Sequence, residues 1–483
     1  MAESLTGESR QAVRQVAYLA LQRVAQIAAD LLYVALIPRA MGPGVFGQFS
    51  TVQAISLWFA MLTGLGAISV MTRYVPEFVQ RDDMAGLRKL TGSLFTLRLG
   101  SGLLGAVIYF AFVRLWLREL DSVALAAVAL TVTLRIASGL PFSLLLGLNQ
   151  AARWGAGELL RRGLMLPLTV AGFAWAGLRG ACIALALTEA MVLCLGLWWT
   201  RDYMDRPSLP LDRAFLKPYL QFSAVFFTGN LLVMFFHQGG APLARLVTGD
   251  YDEAGYYAVA FGAYQAGAYV LWNLVNGFGP LMTSLRIRGE TEQVKAWTER
   301  LLRVLAVTGV LAVGLLFSCS GLLVAHALGR GYARVEPLLP LLAVAGLASG
   351  PGSVARMLSV SYNLGRLSIH GAAVQLGCFL VLGCVLIPRS GSMGACVAVV
   401  AATAVFSLYS TWRVRDTVRY SLNTWLGAVA LGVACSPLLW AWNGSGPARY
   451  ALFVAVYTGA AMALGIARLS EARSLLRAVR RGA

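Results

Sequence analysis

Fourteen runs of mostly apolar residues, each sixteen to 26 residues long, succeed one another along the chain and leave it few other ways to fold. They cover 16–37, 45–70, 91–113, 122–147, 163–178, 180–200, 218–241, 255–279, 304–325, 338–362, 369–387, 393–412, 424–442 and 450–467. A hydrocarbon core of about 30 Å takes roughly 20 helical residues to cross, and a helix satisfies all of its own backbone groups on the way. The expectation is an all-α polytopic membrane protein with about 14 transmembrane helices. Charge usage agrees, because 13% charged residues is about half the share of a soluble domain, and mean hydropathy is +0.68.

The runs repeat. Pro38 to Glu77 reads as a Gly/Pro turn (PRAMGPGVFGQFS), an apolar helix and a cationic MTRYVPEF corner, and DYDEAGYYAVAF through GFGPLMTSLRIRGE restates that design. Gly47 answers to Gly255, Pro76 to Pro280, Asn149 to Asn363, and Gly177-Leu-Arg-Gly180-Ala181-Cys182 to Gly391-Ser-Met-Gly394-Ala395-Cys396. Four landmarks in one order, at nearly constant offset, mark a duplicated unit. Each copy holds six runs, an even number, so both copies start on the same side of the membrane. That makes them parallel six-helix repeats forming two lobes, with two C-terminal helices added.

The expected domains are an N-terminal six-helix lobe (1–200), a polar Pro-containing linker (201–217), a C-terminal six-helix lobe (218–412), and two additional helices with a basic tail (413–483). Orientation follows from the basic residues. With the N-terminus inside, 27 of the 40 fall in cytoplasmic segments and nine in opposite loops, which favours cytoplasmic termini and linker. The formal charge of +18 is therefore topological and does not indicate nucleic acid as a partner, since the basic residues are scattered between apolar runs. The tail RLSEARSLLRAVRRGA suits a helix resting on anionic membrane lipid.

The seven cysteines lie inside apolar runs without a CxxC or Cys/His grouping, so neither disulfide, metal site nor cofactor is expected. The polar N-terminus leads into a run carrying Arg23 and Asp30 and is read as a retained first span.

Ionisable residues inside spans are costly and carry functional hypotheses by default. Arg135 lies at the middle of the fourth run, either facing an aqueous cavity or paired within the bundle, and Glu189 in the sixth run is its candidate partner. Arg23 and Asp30, two turns apart, share a face with Gln26 and Ile27. Arg98 and Arg356 lie about seven residues from their run ends, where snorkelling competes with a cavity role. Asn273 and Asn276, at i and i+3, could bind sugar hydroxyls or join helices. His237 is a lone histidine, a core residue or a proton carrier. Substrate-binding candidates are thus Arg135, Arg23, Arg98, Arg356, Asn273 and Asn276. Ion-coupling candidates are Asp30, Glu189 and His237.

GPGVFGQF with LGAISVMTRYVPEF resembles the first two helices of bacterial polysaccharide-repeat flippases, the O-antigen type of lipid-linked oligosaccharide transporter in the multidrug/oligosaccharidyl-lipid/polysaccharide exporter superfamily. Ala254-Gly255-Tyr256-Tyr257 and Ile387-Pro388 with Gly391, Gly394 and Ala395 extend the resemblance to the second lobe. The chain departs from that pattern at Arg389-Ser390 and in having more than twelve runs. The resemblance implies export of a polyprenyl-diphosphate-linked oligosaccharide across a bacterial inner membrane by alternating access, for lipopolysaccharide or other surface-polysaccharide biosynthesis, alongside other polysaccharide-assembly proteins. Within the runs, four arginines face two clear acids, which suits a diphosphate. A multidrug or organic-cation antiporter would want the opposite sign. A membrane-embedded glycan polymerase or ligase would want a large outer loop and a converging acid/base pair, and the sequence offers neither.

Overall fold

The computed structural model of the chain describes residues 25–64, 66–205, 211–440 and 445–466, and every regular element among them is helical. In chain order they are α1 (25–41), α2 (Pro43–Thr63), α3 (Ala67–Gln80), α4 (Met84–Trp116), α5 (Ser122–Gly147), α6 (Ala151–Thr200), α7 (Arg213–Gln238), α8 (Gly240–Thr248), α9 (Tyr251–Gly277), α10 (Gly279–Ile287), α11 (Thr291–Leu323), α12 (Leu338–Ser361), α13 (Gly365–Val414), α14 (Asn423–Cys435) and α15 (Gly446–Ala463). Arg23 and the basic tail lie outside the described residues.

Seven of these helices are long and apolar enough to cross a membrane, eight if the bent pair 214–223 and 227–238 is one span. The count falls below fourteen for physical reasons. Two pairs of expected spans are each one 50-residue helix, α6 and α13. α14 ends after 13 residues, and α9 opens with Asp252 and Glu253. The outward faces agree with a lipid surroundings: Leu103, Leu104, Val107 and Leu115 of α4 are all more than half exposed, a stripe that water would not tolerate. The molecule is a multi-pass membrane protein.

A straight 50-residue helix would be about 75 Å long. α6 is instead folded at Ala176-Gly177, where Gly177 takes φ 60° and ψ −140°, and α13 at Ser390-Gly391, where Gly391 takes φ 56° and ψ −133°. Only glycine adopts such a backbone without strain. Past the break the chain doubles back, so that a Cβ on Gly180 would strike the carbonyl of Gly172. Eight residues along a straight helix would separate the two by about 12 Å. Each 50-residue element is therefore a helical hairpin. The left-handed residues just before the hairpins match as well, Asn149 at φ 57° and Asn363 at φ 58°. Pro76 and Pro280 do not match in this way: Pro76 lies inside α3, whereas Pro280 opens α10.

Two compact units divide the chain: one of Met1–Tyr33 with Gly44–Pro242, the other of Val34–Pro43 with Leu243–Ala483. Helix α7 packs with the first unit. Tyr219 meets the Tyr74 ring edge-on at 4.7 Å, and Leu216 is buried beside Val70, Met71, Leu90 and Leu140. In the second unit Val294, Leu301, Leu302, Val354, Leu358 and Val418 form the corresponding core. Carboxylates fix both hairpin turns. Asp121 caps α5 by accepting from the Ala124 N–H at 2.9 Å and pairs with Arg179 at 2.9 Å. Glu253 accepts from the Ser392 N–H at 2.6 Å and from Arg334 at 3.1 Å.

Candidate functional site

The charges of the first unit converge on one place. Arg135 is about 21 Å along α5 from the Asp121 end, and Glu189 about 18 Å along the second arm of α6 from the Gly177 turn, so both sit deep in a core about 30 Å thick. The Arg135 guanidinium stands 3.7 Å from the Glu189 carboxylate. The candidate pair expected from sequence is thus brought together.

Glu189 has a second arginine. Arg161, on the first arm of α6, approaches it at 3.3 Å, meets Glu158 one turn earlier at 2.5 Å, and donates to the Ser138 hydroxyl at 3.2 Å. Ser138 in turn contacts the other Glu189 oxygen at 3.2 Å. The Arg161 guanidinium also lies over the Phe142 ring, 5.8 Å from its centroid, within cation–π range. Sequence reasoning missed Arg161 by starting the fifth run at 163 and leaving the preceding residues in a loop. α6 begins at Ala151, and the Glu158/Arg161 spacing of i, i+3 is the signal that could have revealed it.

The neighbouring Arg162 pairs with Asp30 of α1, so Asp30 contributes a second ion pair beside the first. Arg98 does not snorkel. It is 5% exposed and its Nε donates at 2.8 Å to the carbonyl of Ile136, the residue after Arg135, placing a buried cation between α4 and α5. Around this point the first unit therefore gathers Arg98, Arg135, Arg161 and Arg162 against Asp30, Glu158 and Glu189, an excess of one positive charge.

Exposure separates the members. The Arg135 side chain is 39% exposed, while those of Glu189 and Arg161 are 5% and 13%. Arg161 is clasped from three sides, and Arg135 is held, among the described residues, only at a distance too long for a hydrogen bond. An exposed guanidinium fork with donors to spare can take a carboxylate or phosphate by paired hydrogen bonds.

The remaining sequence candidates lie elsewhere. In the second unit Arg356 is half-buried, its guanidinium 4.9 Å from the Phe406 ring centroid. Asn276 is exposed on the wall of a cavity of about 680 Å³ with Thr283, Ser284, Arg288 and Ser361. The Asn273 side chain lies outside the described residues. His237 in the first unit is half-buried, its ring 5.4 Å from that of Phe236. No group of three or more His, Cys, Asp or Glu could hold a metal ion among the described residues.

Comparison with known proteins bears on this arrangement. A family model described as polysaccharide biosynthesis protein matches residues 36–337. No curated protein matches the chain. Among solved structures, a lipid II flippase MurJ in an inward closed conformation superposes with a TM-score of 0.68 at 10% identity, covering 93% of this chain and 100% of that one. An inward-facing multidrug-resistance MATE transporter of the MOP superfamily gives 0.63 at 15% identity, covering 82% and 94%. A MOP-superfamily transporter from Pyrococcus furiosus, described as having a binding pocket of reverse polarity, gives 0.54 at 13% identity, covering 84% and 95%. At these identities the likeness is one of fold.

Proposed function

The chain belongs to the polysaccharide biosynthesis protein family, and on that premise we propose that it is a flippase that carries a polyprenyl-diphosphate-linked oligosaccharide from the cytoplasmic to the outer leaflet by alternating access. The observation that carries the reading is Arg135, a partly exposed guanidinium deep in a membrane span, loosely held by Glu189 and backed by an excess of positive charge. A diphosphate headgroup crossing a hydrocarbon core needs a cation at that depth, and an arginine stays there only when a partner or water offsets a cost of about 3 kcal/mol or more. The fold shared with the lipid II flippase MurJ supports a lipid-linked glycan as cargo. An organic-cation antiporter on the same fold would need an excess of acids, and the charge balance around Arg135 has the other sign.

In this reading the chain crosses a bacterial inner membrane fourteen times, each 50-residue hairpin supplying two crossings, with two parallel six-helix repeats, two added helices and both termini in the cytoplasm. The repeat-based domains run 1–200, 201–217, 218–412 and 413–483, with α7 opening the second repeat while it packs within the first compact unit. Coupling to an ion gradient falls to Asp30 and Glu189, with His237 as a further proton site. Other polysaccharide-assembly proteins supply and consume its cargo.

Replacing Arg135 tests the reading. Arg135→Ala is expected to insert and melt like the parent yet lose export, and Arg135→Lys, which keeps the charge without the fork, to retain part of it. Normal export by a well-expressed Arg135→Ala protein would refute the assignment.

A further inference from the structure

We propose that Glu189 is a built-in stand-in for the diphosphate of the cargo: in the empty transporter its carboxylate engages the arginine that phosphate takes when cargo binds. The proposal rests on the flippase reading above and adds to it a residue that sets affinity and release without touching the substrate.

The asymmetry of the cluster carries the argument. Glu189 is almost wholly buried and has two cationic partners, one fixed and one loose. Arg161 cannot leave, because Glu158, Ser138 and the Phe142 face hold it in place. Arg135 can leave, because a single ionic contact at 3.7 Å is all that joins it to Glu189 and its side chain is 39% exposed. When Arg135 turns to an incoming phosphate, Glu189 keeps Arg161 and the Ser138 hydroxyl, so no buried carboxylate is stranded. When the phosphate departs, Arg135 returns to a waiting anion. Cargo thus competes with an internal carboxylate for one guanidinium. That competition weakens binding and speeds release, as a carrier that must let go on the far side requires.

A second observation shows that packing does not demand a carboxylate at this place. At the same offset that relates Gly177 to Gly391, Glu189 corresponds to Thr403 and Arg161 to Gln375. In the second unit these two stand buried, the Gln375 Nε2 donating to the Thr403 Oγ1 at 3.5 Å. A neutral pair fills the position there. Arg135 corresponds to Ser349, so the unit without the loose arginine is also the unit without the buried carboxylate.

The test uses the full chain in lipid nanodiscs with farnesyl diphosphate as the probe, calorimetry for binding, and a fluorescent analogue for translocation in vesicles. Glu189→Gln leaves Arg161 neutralised by Glu158 and Arg135 without its competitor. It is expected to bind the probe about tenfold more tightly, the scale of one modest electrostatic contact, and to lower both the half-saturating concentration and the maximal translocation rate. Glu189→Thr, which copies the second unit, should do the same, and Glu189→Asp should restore the parent values. Arg135→Ala should abolish binding in either background. A folded Glu189→Gln or Glu189→Thr protein that binds with parental or weaker affinity overturns the proposal while leaving the flippase reading in place, provided Arg135→Ala still loses binding. Absence of any Arg135-dependent binding by the parent protein would sink both.

Discussion

Two helical hairpins of equal length, broken at the same kind of glycine, are filled differently. The first unit places Arg161 and Glu189 across the arms of α6 at 3.3 Å, and the second places Gln375 and Thr403 across the arms of α13 at 3.5 Å. The backbone is reproduced and the charge is not. Hairpin geometry is set by constraints common to both copies, a left-handed glycine at the turn and a close approach just beyond it. Charge at the centre is an addition made in one copy alone, and an addition that folding does not require points to function.

The largest effect is expected where the added charge is halved. Arg161→Ala leaves Glu158 and Glu189 with only the loose Arg135 between them, and melting in detergent should show a loss of about 3–5 kcal/mol. The double variant Arg161→Gln with Glu189→Thr, which writes the second unit's pair into the first, should recover most of that stability while transport stays lost. If it does not recover, the two hairpins are less alike inside than their backbones indicate.

Next come the close approaches. A methyl on Gly180 would meet the Gly172 carbonyl, and one on Gly394 the Leu386 carbonyl. Gly180→Ala and Gly394→Ala should each cost about 1–3 kcal/mol, the usual cost of overpacking, and by similar amounts. Unequal losses would show that one hairpin bears more of its unit's stability.

A smaller effect is expected at Arg98. Helix α11 carries Leu305 at the corresponding position, and the Arg98 Nε donates to a helix carbonyl. Arg98→Leu should change stability by no more than about 1 kcal/mol, because an apolar replacement of a buried polar group of similar volume is often near neutral. Retained stability with lost export would make Arg98 part of the cationic field that the second unit lacks.

The smallest effect is one of pH at the first hairpin turn. The Ala124 N–H, and after it Arg179, hold the Asp121 carboxyl below the usual range. A group depressed on folding stabilises the fold above its unfolded pKa, about 3.9, and that contribution is lost as pH falls through the folded value. Stability should therefore dip by less than about 1 kcal/mol in strongly acid solution, and Asp121→Asn should remove the dip.

Much of this was legible in the sequence. The glycines were legible as landmarks of the duplication, and Gly177 and Gly391 prove to be the turns of the two hairpins. Arg135 and Glu189 stood out as charges within apolar runs. What was hidden had the opposite character. Arg161 and Arg162 lie in a polar stretch, and polarity alone does not say whether a helix continues through it. The burial of Arg98 was also invisible, since snorkelling and burial between helices share one pattern, and only the packing of α4 on α5 decides between them. The packing of α7 on the first unit was hidden too, because aromatic contacts such as Tyr74 with Tyr219 leave no periodic signature.

The α6 hairpin also bears on how the chain is made. Arg161 and Glu189 are 28 residues apart, one on each arm of a single element whose turn is made by its own glycine and tied by Asp121, which is synthesised before it. Once that element has emerged from the ribosome, its arms can close and the two charges can neutralise each other. The insertion machinery then receives a paired hairpin in place of two solitary ions, and lipid is spared contact with either. Arg135, made earlier on α5, meets a carboxylate already carrying its own arginine.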